Sequence, residues 1–170
     1  YHWQYAIKTR SGLDAVVLQL KEDIEPFVTE GVVVTVRSDN ELAQGSFRAA
    51  AKRLGWVCES TAPNSSFQNG TGERPFRSIM DCVRAMLADA RLGPAFWELA
   101  YSHAVFLNNR ISRNGKPSAH EQLTGKRPDF TNVQPFGELV AVWIHHDKRD
   151  KLQSRCQWGI CVGVSVQHPT

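Results

Sequence analysis

Apolar residues alternate at the start of the chain: Trp3, Tyr5 and Ile7 occupy every second position within residues 1–10, the period of a half-buried strand. Ser11-Gly12 turns the chain. Val16, Val17, Leu20, Ile24, Phe27 and Val28 then recur at steps of three and four, which predicts an amphipathic helix from Leu13 to about Glu30, with Pro26 tightening or ending it. The β-branched run Val32 to Val36 predicts a buried strand that stops in Arg37-Ser38-Asp39-Asn40. Over residues 41–54, Leu42, Phe47, Ala50, Ala51 and Leu54 share one side and Arg48, Lys52 and Arg53 another, a second helix for which Gly55 is a fitting stop. Trp56 to Glu59 follows as a short strand. A strand, helix, strand order builds a sheet flanked by helices.

Residues 60–72 are rich in Asn, Ser and Gly and predict a loop, the kind of segment where binding and catalysis concentrate. A helix is expected over 73–91, with Pro75 in its first turn and Phe76, Ile79, Met80, Val83, Met86, Leu87 and Ala90 as its apolar stripe. Gly93-Pro94 breaks the chain before a helix over 95–111, and two helices joined so tightly should be neighbours. Residues 112–132 turn to Lys, Arg, Gly, Asn and Pro around a short helical piece at Ala119 to Leu123. Strands at 139–144 and 158–164, separated by the charged, hairpin-like segment His145 to Arg155, give residues 134–170 an all-β character.

Two carboxylates stand out against this pattern. Asp39 falls at the C-terminal tip of a predicted strand and Glu73 at the mouth of a predicted helix, so rigid elements could bring both to one metal ion. Each also has a plainer role, Asp39 as a helix cap and Glu73 as a partner of the helix dipole, and neither role excludes ligation. Gln68 and Asn69 offer donors and acceptors, and Arg74, beside Glu73, and Arg77 could meet phosphates.

Composition changes this picture little. The 170 residues are 42% hydrophobic and 22% charged, no run is long enough to span a bilayer, and a net charge of +3 permits a polyanionic partner without requiring one. Cys58, Cys82, Cys156 and Cys161 lack the close pairing of a zinc site and are expected as reduced structural thiols, while His145 and His146 are neighbours on a predicted strand. The absence of a secretory signal fits a reducing, intracellular compartment, and a start without Met reads as a cut from something longer.

Arg37-Ser38-Asp39-Asn40, Ala62-Pro63, Gln68-Asn69-Gly70, Glu73-Arg74, Phe96-Trp97, Asn109-Arg110, Thr124-Gly125-Lys126-Arg127-Pro128, Phe136-Gly137 and Lys151-Leu152 follow one another in the order of a copia-type LTR-retrotransposon integrase, and the chain resembles that family over nearly its whole length. The resemblance implies an α/β fold, a partial ribonuclease-H-like sheet flanked by helices. Residues 1–112 would be the C-terminal part of the catalytic core, 113–133 a linker and 134–170 an incomplete SH3-like β module. It further implies polynucleotidyl transfer in DNA integration by an Asp, Asp, Glu triad. Asp39 matches the second acid and Glu73 the third, with Mg²⁺ or Mn²⁺ as the metal, Asn40, Gln68, Asn69, Arg74 and Arg77 near nucleic acid, and retrotransposon ends and target DNA as partners. No membrane partner is implied; self-association is compatible with the resemblance, and the site of action is the nucleus if the chain functions as an integrase. The family's first acid would precede residue 1, so residues 1–170 by themselves are expected to be inactive. Glu41-Leu42-Ala43 replaces the family's two glycines and Glu-Phe, and Phe76 replaces an Asn, so the alternative is a catalytically dead nucleic-acid-binding or structural relic of a transposable element.

Overall fold

Elements in the first part of the chain form where the helical period can bury its stripe. A computed structural model describes residues 1–38, 45–60 and 66–164, except for the side chains of Arg10 and of residues 66–73. The residues fall into two compact units, Trp3–Arg77 and Tyr1–His2 with Ser78–Thr170.

In the unit Trp3–Arg77, a 3₁₀ turn at Arg10–Gly12 leads into α1 (Leu13–Ile24), and Pro26 sits in a second 3₁₀ turn, Glu25–Phe27, that ends the helical stretch as its fixed φ and missing N–H require. β1 (Thr35–Ser38) and β2 (Val57–Ser60) pair in parallel, with Thr35 opposite Val57 and Ser38 opposite Ser60. The crossover between them carries α2 (Gly45–Arg53). Val17, Phe47, Ala50, Ala51 and Trp56 are buried together, with Leu20, Ile24, Val34 and Val36 packed around them. Ala50 and Ala51 keep the contact face of α2 small. The helix then stops at Gly55, whose φ of 75° only glycine adopts without strain; Gly55 N–H donates to Lys52 O and Trp56 N–H to Ala51 O, each at 3.0 Å.

Two expectations change here. Residues 1–7 are in no regular element despite their alternation. A strand needs a neighbour for its backbone groups, and what ties this segment to α1 is instead a side-chain contact: Tyr5 Oη donates to the Asp23 carboxylate at 2.5 Å. The β1 ladder also begins later than the valine run, and Val32 and Val33 are 60% and 63% exposed rather than buried. β-branching favours extended backbone, but the ladder runs only where β2 offers partners.

The second unit is built on α3 (Ser66–Asp89) from Ser78 onward and on α4 (Trp97–Arg110), which follows a 3₁₀ turn at Pro94–Phe96. Ile79, Val83, Ala100, Ala104, Val105 and Phe136 form its core, so the two tightly joined helices are neighbours as their short connection predicts. Asn109, 2% exposed, accepts from His2 N–H with Oδ1 and donates to His2 O with Nδ2, both at 2.8 Å; its amide satisfies the backbone as a ladder partner would. α5 (Ala119–Thr124) is capped by Ser118 Oγ, which accepts from Glu121 N–H, and ends at Gly125 in the left-handed region. β3 (Leu139–Trp143) and β4 (Cys156–Ile160) pair antiparallel, with Val140 opposite Gly159. This hairpin is the described β structure of residues 134–164 and stops short of an all-β SH3-like module. No helix among the described residues is long and apolar enough to cross a membrane.

Gly137 joins the hairpin to the helices. Its φ is 84°, and a Cβ there would lie 2.2 Å from the Ala90 Cβ, whereas a Cβ at Gly115, with φ 69°, meets nothing within 4 Å. Gly115→Ala should therefore cost about 1 kcal/mol from backbone strain alone. Gly137→Ala adds a steric clash and should cost upward of about 3 kcal/mol, of the order of a severe overpacking. Urea midpoints of the two variants check this order.

His103, 2% exposed, packs between Phe106 and Phe136, and its Nδ1 has no hydrogen-bond partner among the described residues. Burial lowers its pKa from the usual 6.5. The unfolded chain then binds this proton first, so stability is full above pH 6.5 and falls as pH drops below it, by at most about 1.4 kcal/mol per pH unit for one proton. His2 and His120 shift in the same direction, chiefly from burial. His103→Leu should therefore reduce, without abolishing, the loss of denaturation free energy between pH 7 and pH 5.

Candidate metal and nucleic-acid site

Parallel pairing puts the carboxyl ends of β1 and β2 at one edge. α2 is the next described element after β1 and α3 the next after β2; in open α/β sheets, ligands bind outside such strand ends. Val57 N–H donates to Val34 O at 2.9 Å, and Arg37 Nη2 and Nε donate to Glu59 Oε2 at 2.9 and 3.3 Å across the pair. Both side chains of that ion pair are exposed, so it contributes under about 1 kcal/mol, but it marks the register. β1 ends at Ser38, one position before Asp39. Asp39 and Asn40 themselves lie outside the described residues.

α3 carries the remaining candidates, Gln68, Asn69, Glu73, Arg74 and Arg77. The helix starts at Ser66, not at residue 73, so residues 66–72 of the expected loop are helical and Glu73 is two turns inside rather than at the mouth. The dipole role for Glu73 fades with this, because that interaction is confined to the first turn. Asn69, Glu73 and Arg77 follow at four-residue steps, which is one face of a helix by its period. Arg74 and Arg77 are exposed and open to an anionic partner, while the side chains of Gln68, Asn69 and Glu73 are outside the description. Asn69, Gly70 and Gly72 are poor helix formers, which is why composition predicts a loop; propensities of about 1 kcal/mol or less per residue yield to tertiary context.

A cavity of about 420 Å³ opens elsewhere in this unit, lined by Ile24, Val28, Val32, Val34 and Trp56 with Lys21 and Glu25 at 3.4 Å from each other. It adjoins the amino end of β1, away from the edge that Asp39 follows, and its lining holds no convergent catalytic set.

Asp39 and Glu73 fit a divalent hard cation by donor chemistry, since Mg²⁺ and Mn²⁺ prefer carboxylate oxygen. Among the described residues one group of three metal-ligating side chains converges, His145, His146 and Asp147 in the second unit, and two imidazoles with one carboxylate are not that donor set. Sequence reasoning passed over it because adjacent strand residues face opposite ways; these residues are in a turn. The four cysteines are free thiols, Cys82 and Cys156 exposed, Cys58 and Cys161 half-buried.

No protein-family model matches the chain. It is 26% identical over 169 residues to the retrovirus-related Pol polyprotein from transposon RE2 of Arabidopsis thaliana, and 29% identical over 159 residues to that from transposon TNT 1-94 of Nicotiana tabacum. The Pol polyprotein from transposon RE1 of Arabidopsis thaliana is 26% identical over 172 residues. These alignments cover 98%, 90% and 98% of this chain but only 12%, 12% and 11% of the relatives, so the chain spans about an eighth of their length. The fold is similar to that of a chain in the cryo-EM structure of the simian T-cell lymphotropic virus intasome in complex with PP2A regulatory subunit B56 gamma, with a TM-score of 0.54 over 90% of this chain and 55% of that one, at 18% identity. The chain thus shares a fold with a chain of that intasome complex and is similar to retrotransposon Pol polyproteins, in line with the resemblance its motifs carry.

The position of Pro75 separates the two readings of α3. Ten residues into the helix, it cannot donate to the carbonyl at position 71, and Pro75→Ala should stabilise the chain by about 1–3 kcal/mol and raise its helical circular dichroism. A helix starting at residue 73 would hold Pro75 in its first turn and give no gain.

Proposed function

We propose that this chain contributes to metal-dependent polynucleotidyl transfer in DNA integration, as the integrase part of a copia-type polyprotein. The observation that carries the reading is similarity to Pol polyproteins along nearly all of the chain, joined to an integrase-like fold whose strand β1 ends immediately before Asp39. In this reading residues 1–112 belong to a ribonuclease-H-like core, 113–133 link, and 134–170 belong to an SH3-like module. Its partners are retrotransposon ends and target DNA, it acts as a homo-oligomer, and its site of action is the nucleus.

Asp39 and Glu73 would hold Mg²⁺ or Mn²⁺. Bound there, the metal supplies activation of an attacking hydroxyl and neutralisation of charge on the leaving oxygen. The chain's own part is positioning. Asp39 follows the end of β1 and Glu73 lies on α3, Arg74 and Arg77 engage phosphates, and Asn40, Gln68 and Asn69 contact the nucleic acid.

The alternative, a nucleic-acid-binding relic without catalysis, is favoured by Glu41-Leu42-Ala43 and by Phe76, an exposed apolar side chain where the resemblance implies Asn. Metal and DNA binding separate the two. Mn²⁺ binding followed by paramagnetic relaxation should weaken at least tenfold in Asp39→Asn and in Glu73→Gln; wild-type chain that binds DNA but no Mn²⁺ supports the relic. DNA affinity should fall linearly with the logarithm of salt concentration, and Arg74→Ala and Arg77→Ala should each reduce the slope by about 0.9. Salt-independent affinity, or slopes unchanged in both variants, would remove these arginines from the interface.

A further inference from the structure

We propose that the connection between β3 and β4 is a binding site for a transition-metal dication of the Zn²⁺ class, formed by His145 Nδ1, His146 Nε2 and the Asp147 carboxylate. The backbone assembles these donors. β3 ends at Trp143, and Ile144 N–H donates to Arg155 O at 2.8 Å as the chain leaves the ladder. His145, at φ −58° and ψ 147°, caps a 3₁₀ turn over His146–Lys148. In a continued strand the two histidines would point to opposite faces. The turn instead brings their rings to a centroid distance of 4.1 Å, and Trp143 meets the His145 ring edge-on at 5.5 Å and limits its orientation.

The ligand atoms already cluster. His145 Nδ1 is 3.0 Å from Asp147 Oδ2 and His146 Nε2 is 3.0 Å from Asp147 Oδ1, and one donor atom from each of the three residues lies within 4.8 Å of the others. Tetrahedral Zn²⁺ with bonds of about 2.0–2.1 Å holds its ligand atoms roughly 3.3 Å apart, so small side-chain adjustments would admit the ion. His145 Nδ1 has one lone pair, which accepts from Asp147 N–H at 3.4 Å; ligation would replace that long hydrogen bond with a bond to the cation. Imidazole suits Zn²⁺, Cu²⁺ and Ni²⁺ better than Mg²⁺. All three residues are exposed, so the ion enters without opening the fold and a water completes its shell. This site is independent of Asp39 and Glu73.

The test uses the full chain and Zn²⁺ in competition with a chromophoric chelator, then Co²⁺ as a spectroscopic substitute. Wild-type chain should bind one equivalent, with weak Co²⁺ d–d bands and no thiolate charge-transfer band. His146→Ala and Asp147→Asn should each lower affinity at least tenfold while far-ultraviolet circular dichroism is unchanged, and Cys156→Ser, altering the exposed thiol at the start of β4, should have no effect. Absence of an equivalent bound at micromolar Zn²⁺, affinity retained in both ligand variants, or a thiolate band lost in Cys156→Ser would each overturn the assignment.

Discussion

The parallel pairing of β1 with β2 is the constraint from which the first unit follows. Parallel strands cannot be joined by a tight turn, so the chain must cross over, and α2 is that crossover. Its short buried residues, Ala50 and Ala51, together with Val17 from α1, fill the space beneath the strands. The same pairing puts the carboxyl ends of both strands at one sheet edge.

The second unit is held differently. Its helices share an apolar core, but the less regular segments are attached by single well-placed groups: the Asn109 amide on His2, Ser118 on the first turn of α5, and the bare backbone of Gly137 against Ala90. Gly163 is likewise close to His103, where an added Cβ would lie 3.1 Å from the histidine Cβ. Polar and glycine positions therefore determine where loops and hairpin meet the helices, while the apolar stripe determines only that the helices meet.

What was legible in the sequence follows this division. α1, α2, α4 and the β3–β4 hairpin were visible because three-to-four and two-residue periods are properties of neighbouring positions. The start of α3 was not, since Asn69, Gly70 and Gly72 argue locally for a loop whereas the backbone is helical from Ser66. The alternation at Trp3, Tyr5 and Ile7 misled for the opposite reason: it signals extended backbone, and only a distant neighbour decides whether that becomes a strand. Asp39 and Glu73 were singled out by spacing and family resemblance, which report chemistry rather than geometry, and Asp39 and the Glu73 side chain lie outside the described residues. The convergence of His145 with Asp147 depended on a turn that no periodicity encodes.

The free thiols have a bearing on how assembly of this chain is judged. Cys82 on α3 and Cys156 on β4 are exposed and carry no disulfide. Exposed thiols of two copies can couple through oxidation or exchange, whereas half-buried Cys58 and Cys161 are less accessible to a second chain. Without reductant, a covalent dimer would therefore imitate the proposed homo-oligomer, and only the species that survives reduction reports the surfaces of the fold.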